Sequence, residues 1–250
     1  MTNYPSVEFR RGAVEPVECL KAAWELIKDQ YWLFFGLVLV GMLIAGAVPL
    51  GILMGPMMCG IFLTYFRKRK GLPIEFGTMF KGFDYFGQSI IAALLHVIPL
   101  TAVIFCAYIF LYVGMIASMF AGAAAGNDAA GPVMGLSFVL LIFLFYIIVL
   151  LAVILISIGF TFAYPLIVDR NMSGFDAVKL SFRAAFANFW RLFGLNLLGG
   201  LLGLVGVCLC FVGVYLVLPI TLGASAIAYE QVFGLAPERE PNLPPPPPSF

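Results

Sequence analysis

Apolar positions run along this chain in long unbroken blocks. Residues 30–66, 85–127, 129–168 and 192–229 contain no Asp, Glu, Lys or Arg. Each block is long enough for at least one membrane span of about 20 residues. As a single helix the first would extend about 55 Å, nearly twice the roughly 30 Å hydrocarbon core, so it divides in two. The break falls at Val48-Pro49-Leu50-Gly51, where proline lacks a backbone donor and glycine relaxes the turn, giving spans of 31–47 and 52–67. The last block divides near 213–215 into 192–212 and 216–231, with Pro219 as another place for a bend. In the middle, 88–113 is one span interrupted by Pro99, and 121–132, alanine-rich around Gly126-Asn127-Asp128, predicts an exposed loop. Residues 133–168 predict one long helix, with a span at 133–160 and a bend near Gly159 or Pro165.

Between these blocks the pattern becomes amphipathic. Leu20, Ala23, Trp24, Ile27 and Tyr31 follow helical spacing, as do Phe76, Met79, Phe80 and Phe83, and Phe175, Val178, Phe182, Phe186 and Phe189. Each stretch predicts a helix lying at the membrane surface and feeding a hairpin of spans. The junctions repeat: Trp32-x-x-Phe35-Gly36, Phe83-x-x-Phe86-Gly87 and Trp190-x-x-Phe193-Gly194. Pro56-x-x-x-Gly60 is matched by Pro219-x-x-x-Gly223, whereas Pro165 has no following glycine. Three units of like orientation are expected, with the middle one divergent.

Composition agrees with the pattern: 62% of residues are apolar and 11% charged, against roughly 45–50% and about 25% for a soluble domain. A soluble fold is excluded. Six spans place all 14 basic residues on one side, leaving only Asp128 opposite, and the positive-inside rule makes the basic side cytoplasmic. Both termini then face the cytoplasm. Tyr31, Trp32, Tyr65, Phe66, Tyr85, Phe86, Trp190 and Tyr229 fall at that interface and predict an aromatic belt. A net charge of +1 offers nothing to a nucleic acid. The five cysteines, an odd number mostly inside apolar runs, argue against disulfides and metal sites and are expected to be buried as small hydrophobes.

Gly55-Pro56-Met57-Met58-Cys59-Gly60, Arg67-Lys68-Arg69-Lys70-Gly71 and the stretch 76–86 (FGTMFKGFDYF) resemble a group of bacterial six-span inner-membrane proteins of unknown function. Residues 164–229 resemble the related membrane domain attached to some glycerophosphodiester phosphodiesterases. The resemblance implies an all-α, polytopic fold of six transmembrane helices with three interfacial amphipathic helices. It transfers no catalytic residue, and no hydrolytic domain is present in this sequence.

Candidate chemistry is sparse. No catalytic set, cofactor motif or metal-ligand spacing is visible. His96, the one histidine, lies inside a span; it is a candidate polar contact or relay, more simply a neutral imidazole bonded to a neighbouring helix. Asn196 is a second candidate, for a polar pathway or an interhelical hydrogen bond. Arg67, Lys68, Arg69 and Lys70 could contact anionic lipid, though a topology signal suffices to explain them. The organisation expected is an N-terminal arm at 1–14, a membrane domain at 15–234 and a disordered tail at 235–250, where 236–250 hold 7 of the 16 prolines. Such a tail could bind a partner protein in extended form. The sequence points to a structural or interaction role organising lipid or a partner, with self-association open, and a small-solute transporter or channel as the alternative.

Overall fold

The computed structural model describes residues 8–48, 51–124, 130–208 and 212–237. Every described element is helical. In chain order they are α1 (Pro16–Ile27), α2 (Tyr31–Ala47), α3 (Met54–Arg69), a 3-10 helix (Phe76–Tyr85), α4 (Phe86–Ala124), α5 (Ala130–Phe160), α6 (Ala163–Arg170), α7 (Gly174–Ala187), α8 (Phe189–Cys208) and α9 (Val212–Phe233). Among the described residues five helical stretches are long and apolar enough to cross a membrane: Pro16–Ala47, Phe76–Ser118, Val139–Arg170, Phe189–Cys208 and Gly213–Phe233. The second expected span corresponds to α3, which has 16 residues and ends in Arg67, Lys68 and Arg69.

The loop expected at 121–132 is helical at both of its ends. Residues 121–124 continue α4 and 130–132 already belong to α5, because alanine is the best helix former and extends the helix where composition alone suggested a loop. The core of that loop, 125–129, lies outside the described residues, as do Pro49 and Leu50 of the first turn. In the last hairpin 213–215, where the turn was expected, already belong to α9, and 209–211 lie outside the described residues. Gly206 and Gly213 face each other there, a Cβ on Gly206 falling 2.7 Å from the Gly213 carbonyl carbon. The bend expected near Gly159 or Pro165 lies between them: α5 ends at Phe160 and α6 begins at Ala163.

Three times the chain repeats a short helix, an outgoing long helix and a returning helix, and the units close into a ring. Each short helix packs on the returning helix of the preceding unit. The 3-10 helix lies on α3, where a Cβ on Gly60 would sit 1.8 Å from the Met79 carbonyl oxygen and one on Gly82 would sit 2.1 Å from that of Pro56. Helix α7 lies on the α5–α6 bend, where Ser181 Oγ donates to the Gly159 carbonyl (2.6 Å) and accepts from the Phe162 amide (3.1 Å). Helix α1 closes the ring on α9. There a Cβ on Gly223 would lie 3.1 Å from that of Ala23, and Gln231 Oε1 accepts from the Glu15 amide (3.0 Å) and Cys19 Sγ (3.2 Å). The middle unit is therefore less divergent than its prolines suggest: Gly60 precedes Tyr65 by five residues, Gly159 precedes Tyr164 by five, and Gly223 precedes Tyr229 by six. Each returning helix is followed by a residue of positive φ, namely Gly71, Asn171 and Gly234, which reverses the chain out of the helix.

On the short helices only part of each periodic set turns inward, and small residues outside those sets join it. Helix α7 buries Gly174, Ala177, Ser181, Ala184 and Ala185, while Phe175 and Phe186 are exposed. The 3-10 helix buries Thr78, Met79 and Gly82 and exposes Phe76, Phe80 and Phe83; α1 buries Cys19, Ala23 and Ile27 and exposes Trp24. Small side chains allow backbones to approach, and most of the large rings are left outside, Phe182, which lies over Gly159, being an exception. The aromatic belt divides in the same way. Trp32 and Trp190 are 73% and 80% exposed, but Tyr65, Phe66 and Tyr229 are buried in the core. Tyr65 donates to the Pro219 carbonyl and Tyr31 to the Leu216 carbonyl, both at 2.6 Å, along the stretch of α9 whose ladder proline interrupts.

Both boundaries of the domain move outward. In the expected arm, Val14 is fully buried, the Arg10 amide donates to the Val232 carbonyl (2.9 Å), and Asn188 Nδ2 donates to the Arg10 carbonyl (3.2 Å). In the expected tail, Leu235 packs on the core and the Ala236 amide is bound by Asp169. The proline run, 244–248, lies outside the described residues. Cys19 and Cys59 are buried thiols as expected, whereas Cys106 and Cys208 are exposed on the sides of long helices; all four are unpaired, and Cys210 lies outside the described residues.

Candidate functional site

The C-terminal turn of α3 carries the basic run, and the fold gives its members different tasks. Cations there complement the unpaired carbonyls of the helix end. Lys68 Nζ reaches across to Asp29 Oδ2 and to Gln30 Oε1 (3.3 Å), tying α3 to the turn before α2. That hydrogen bond, helped by the ammonium charge, holds the Asp29 carboxyl below its usual range. The contact therefore stabilises the fold above the ordinary carboxylate pKa, and its contribution is lost as pH falls through the depressed folded value. Arg69 Nε donates to Glu230 Oε2 (2.8 Å), tying α3 to α9. Two of the four expected lipid contacts are thus engaged within the protein.

Arg67 and Lys70, one turn apart, look instead into a recess of about 250 Å³ between the ends of α3 and α6, the 3-10 helix and the segment after α9. Arg67 Nη2 donates to the Pro73 carbonyl (3.2 Å), and its Nε is buried with no hydrogen-bond partner among the described residues. No carboxylate among the described residues pairs with Arg67 or Lys70 within ion-pair distance. Asp169 forms part of the wall, but its charge is already answered. Its Oδ2 accepts from Tyr229 Oη (2.8 Å), both oxygens accept from the Ala236 amide (3.0 and 3.1 Å), and Arg170 Nε lies 3.2 Å away. Arg170 in turn donates through Nη2 to the Phe233 and Gly234 carbonyls (3.0 and 3.1 Å), capping α9. Tyr85 and Asn171 complete the polar lining.

His96 and Asn196 do not belong to this recess. The His96 ring stacks on Phe160 of α5 with centroids 4.4 Å apart and planes at 11°, and neither of its ring nitrogens, both buried, has a hydrogen-bond partner among the described residues. The expected bond to a neighbouring helix is absent there and ring stacking takes its place. Asn196 Nδ2 donates within its own helix to the Leu192 carbonyl (2.9 Å), rather than across helices. It borders a separate cavity of about 180 Å³ between α8 and α9, lined by Gly199, Gly200, Thr221 and Ser225 among others but not by His96. Among the described residues no three His, Cys, Asp or Glu side chains gather where they could hold a metal ion.

Sequence reasoning found Arg67 and Lys70 but not the distinction between them and Lys68 or Arg69, because the carboxylates that make the difference, Asp29 and Glu230, are remote in sequence. It missed the Asp169–Arg170 network, counting Arg170 only as a topology signal. The available clue was the Tyr164 to Asp169 spacing, which resembles the Tyr65 to Lys70 spacing of the first unit. No family model matches the chain, and no curated protein or solved structure matches it at a level that indicates kinship.

Proposed function

We propose that the chain is a six-span protein of the bacterial cytoplasmic membrane, without catalytic activity, that organises anionic lipid or a partner protein at its cytoplasmic end. The observation that carries this reading is the position of α3. It is buried along most of its length, from Gly55 to Phe66, with α2, the 3-10 helix, α4, α6 and α9 around it. A helix occupies the axis that a conduit would follow. In this reading α2, α3, α4, α5, α8 and α9 cross the bilayer. Helices α1 and α7 and the 3-10 helix lie at the cytoplasmic surface with their exposed rings among the headgroups, where aromatic side chains are favoured. The resemblance to six-span inner-membrane proteins and to phosphodiesterase-linked membrane domains supports the same arrangement. The proline-rich tail offers a partner an extended binding segment.

A second reading, a small-solute transporter, draws on His96, whose unpartnered nitrogens are the kind of intramembrane polar group that pathways use. One experiment separates the two. After extraction in a mild detergent, mass spectrometry of the intact complex should find anionic lipid or a defined protein retained, and proteoliposomes should show no solute flux. A flux that His96→Gln abolishes while the protein stays folded would replace the organising role with transport.

A further inference from the structure

We infer that the recess between the ends of α3 and α6 is a binding site for a phosphate group, held by Arg67 and Lys70. The inference rests on the lipid-organising reading and names the chemistry that would be recognised. Three observations carry it. The recess is large enough, at about 250 Å³, for a phosphate and its nearest substituents. Its two cations lack carboxylate partners among the described residues, whereas their neighbours Lys68 and Arg69 are neutralised by Asp29 and Glu230. The Arg67 Nε–H is buried without an acceptor, a group that costs free energy unless something in the recess accepts from it.

Asp169 does not defeat the site. With Tyr229, the Ala236 amide and Arg170 arranged around it, its oxygens are occupied and its charge is compensated. The local balance of Arg67, Lys70, Arg170 and Asp169 is positive. Guanidinium suits a phosphate through its fixed planar donors, and the Lys70 ammonium adds a mobile charge from the exposed rim. A phosphate here could belong to a lipid headgroup entering from the side or to a soluble phosphate.

The test uses the full chain, with two probes. In nanodiscs of phosphatidylcholine with and without phosphatidylglycerol, lipid retained on the protein is measured by native mass spectrometry. In a neutral detergent, inorganic phosphate is titrated while thermal unfolding is followed. The variants are Arg67→Gln, which also loses the Pro73 contact, and Lys70→Glu, whose replaced side chain makes no described hydrogen bond or ion pair and whose folding is checked by its unfolding temperature without phosphate. Lys21→Gln, on the exposed surface of α1, is the control for general surface charge.

Phosphatidylglycerol retention that falls about fivefold for each pocket charge neutralised, and more for Lys70→Glu, with Lys21→Gln unchanged, identifies a lipid headgroup. A phosphate-dependent rise in unfolding temperature, absent in the pocket variants, identifies a soluble phosphate. If neither probe distinguishes wild type from Lys70→Glu, or if Lys21→Gln weakens retention as much, the site does not exist. Flux through proteoliposomes would remove the organising role while leaving a positive phosphate result standing, so the two failures are separable.

Discussion

At Gly60 the cost of a single methyl group can be read from one distance. The added Cβ would lie 1.8 Å from the Met79 carbonyl oxygen, a backbone atom that cannot swing aside, and Gly82 meets Pro56 almost as closely from the opposite side. Gly60→Ala or Gly82→Ala should therefore destabilise the protein by about 3 kcal/mol or more, at the upper end of overpacking effects. Gly87→Ala, with nothing within 4 Å of the added carbon, should be neutral or stabilising by about 0.5–1 kcal/mol. Denaturation of the purified variants in detergent checks both; equal effects would show that the 3-10 helix does not sit on α3. Ser181 makes a second test at this scale. It is fully buried and satisfies both the Gly159 carbonyl and the Phe162 amide where α5 breaks. Ser181→Ala leaves both groups bare and should cost about 2 kcal/mol, with Ser181→Thr restoring part of it if the extra methyl is accommodated. The importance of Gly60 was legible from the Pro56-x-x-x-Gly60 repeat. Ser181 was not, because its partners lie 19 and 22 residues away on the far side of a bend.

Among the elements, helices were legible, and which of their apolar residues turn inward was legible only in part. The charge-free blocks located α2, α5, α8 and α9 within a few residues, and Gly159 and Pro165 bracket the α5–α6 break. Periodicity marked one apolar face on each of α1, α7 and the 3-10 helix and laid it on the membrane surface, without saying which of its members turn toward the protein: Ala23, Ile27 and Met79 do, and Trp24, Phe76, Phe80, Phe83, Phe175 and Phe186 do not. In the proposed interfacial position the rings lose little by staying outside the protein, and close approach of small residues decides which face packs. Length also carries information. With 39 residues, α4 extends about 58 Å, well beyond the hydrocarbon core, while α3 at 16 residues spans about 24 Å. A helix shielded by its neighbours need not match the lipid, so α3 can be short. At the other end of the chain, Leu235 and Ala236 belong to the domain. A stop after Pro237 should leave thermal stability unchanged. A stop after Gly234 removes the Ala236 donor from Asp169 and should lower stability by about 1 kcal/mol. Identical melting of the two truncations would put the boundary back at 234.

As a whole molecule the chain is a ring of three units, each short helix seated on the unit before it, with α1 on α9 closing the circle. Trp32-x-x-Phe35-Gly36 and its two counterparts revealed the repetition, but nothing local to a unit says that its short helix leaves its own hairpin and packs on another. That is a property of long-range contacts such as Glu15 with Gln231, 216 residues apart. The proposed six-span arrangement has α3 return the chain across the membrane despite its length, and the side on which each segment lies follows from that crossing. The measurement that bears on this most directly is labelling with a membrane-impermeant maleimide in intact cells and in inverted vesicles. Single cysteines replace Arg11, Lys81, Lys179 and Asp128, one at a time, in a cysteine-free background. Six crossings predict that positions 11, 81 and 179 react only in inverted vesicles and position 128 only in intact cells. Should α3 fail to cross, position 11 would react on the opposite side from positions 81 and 179, and the six-span account would be wrong.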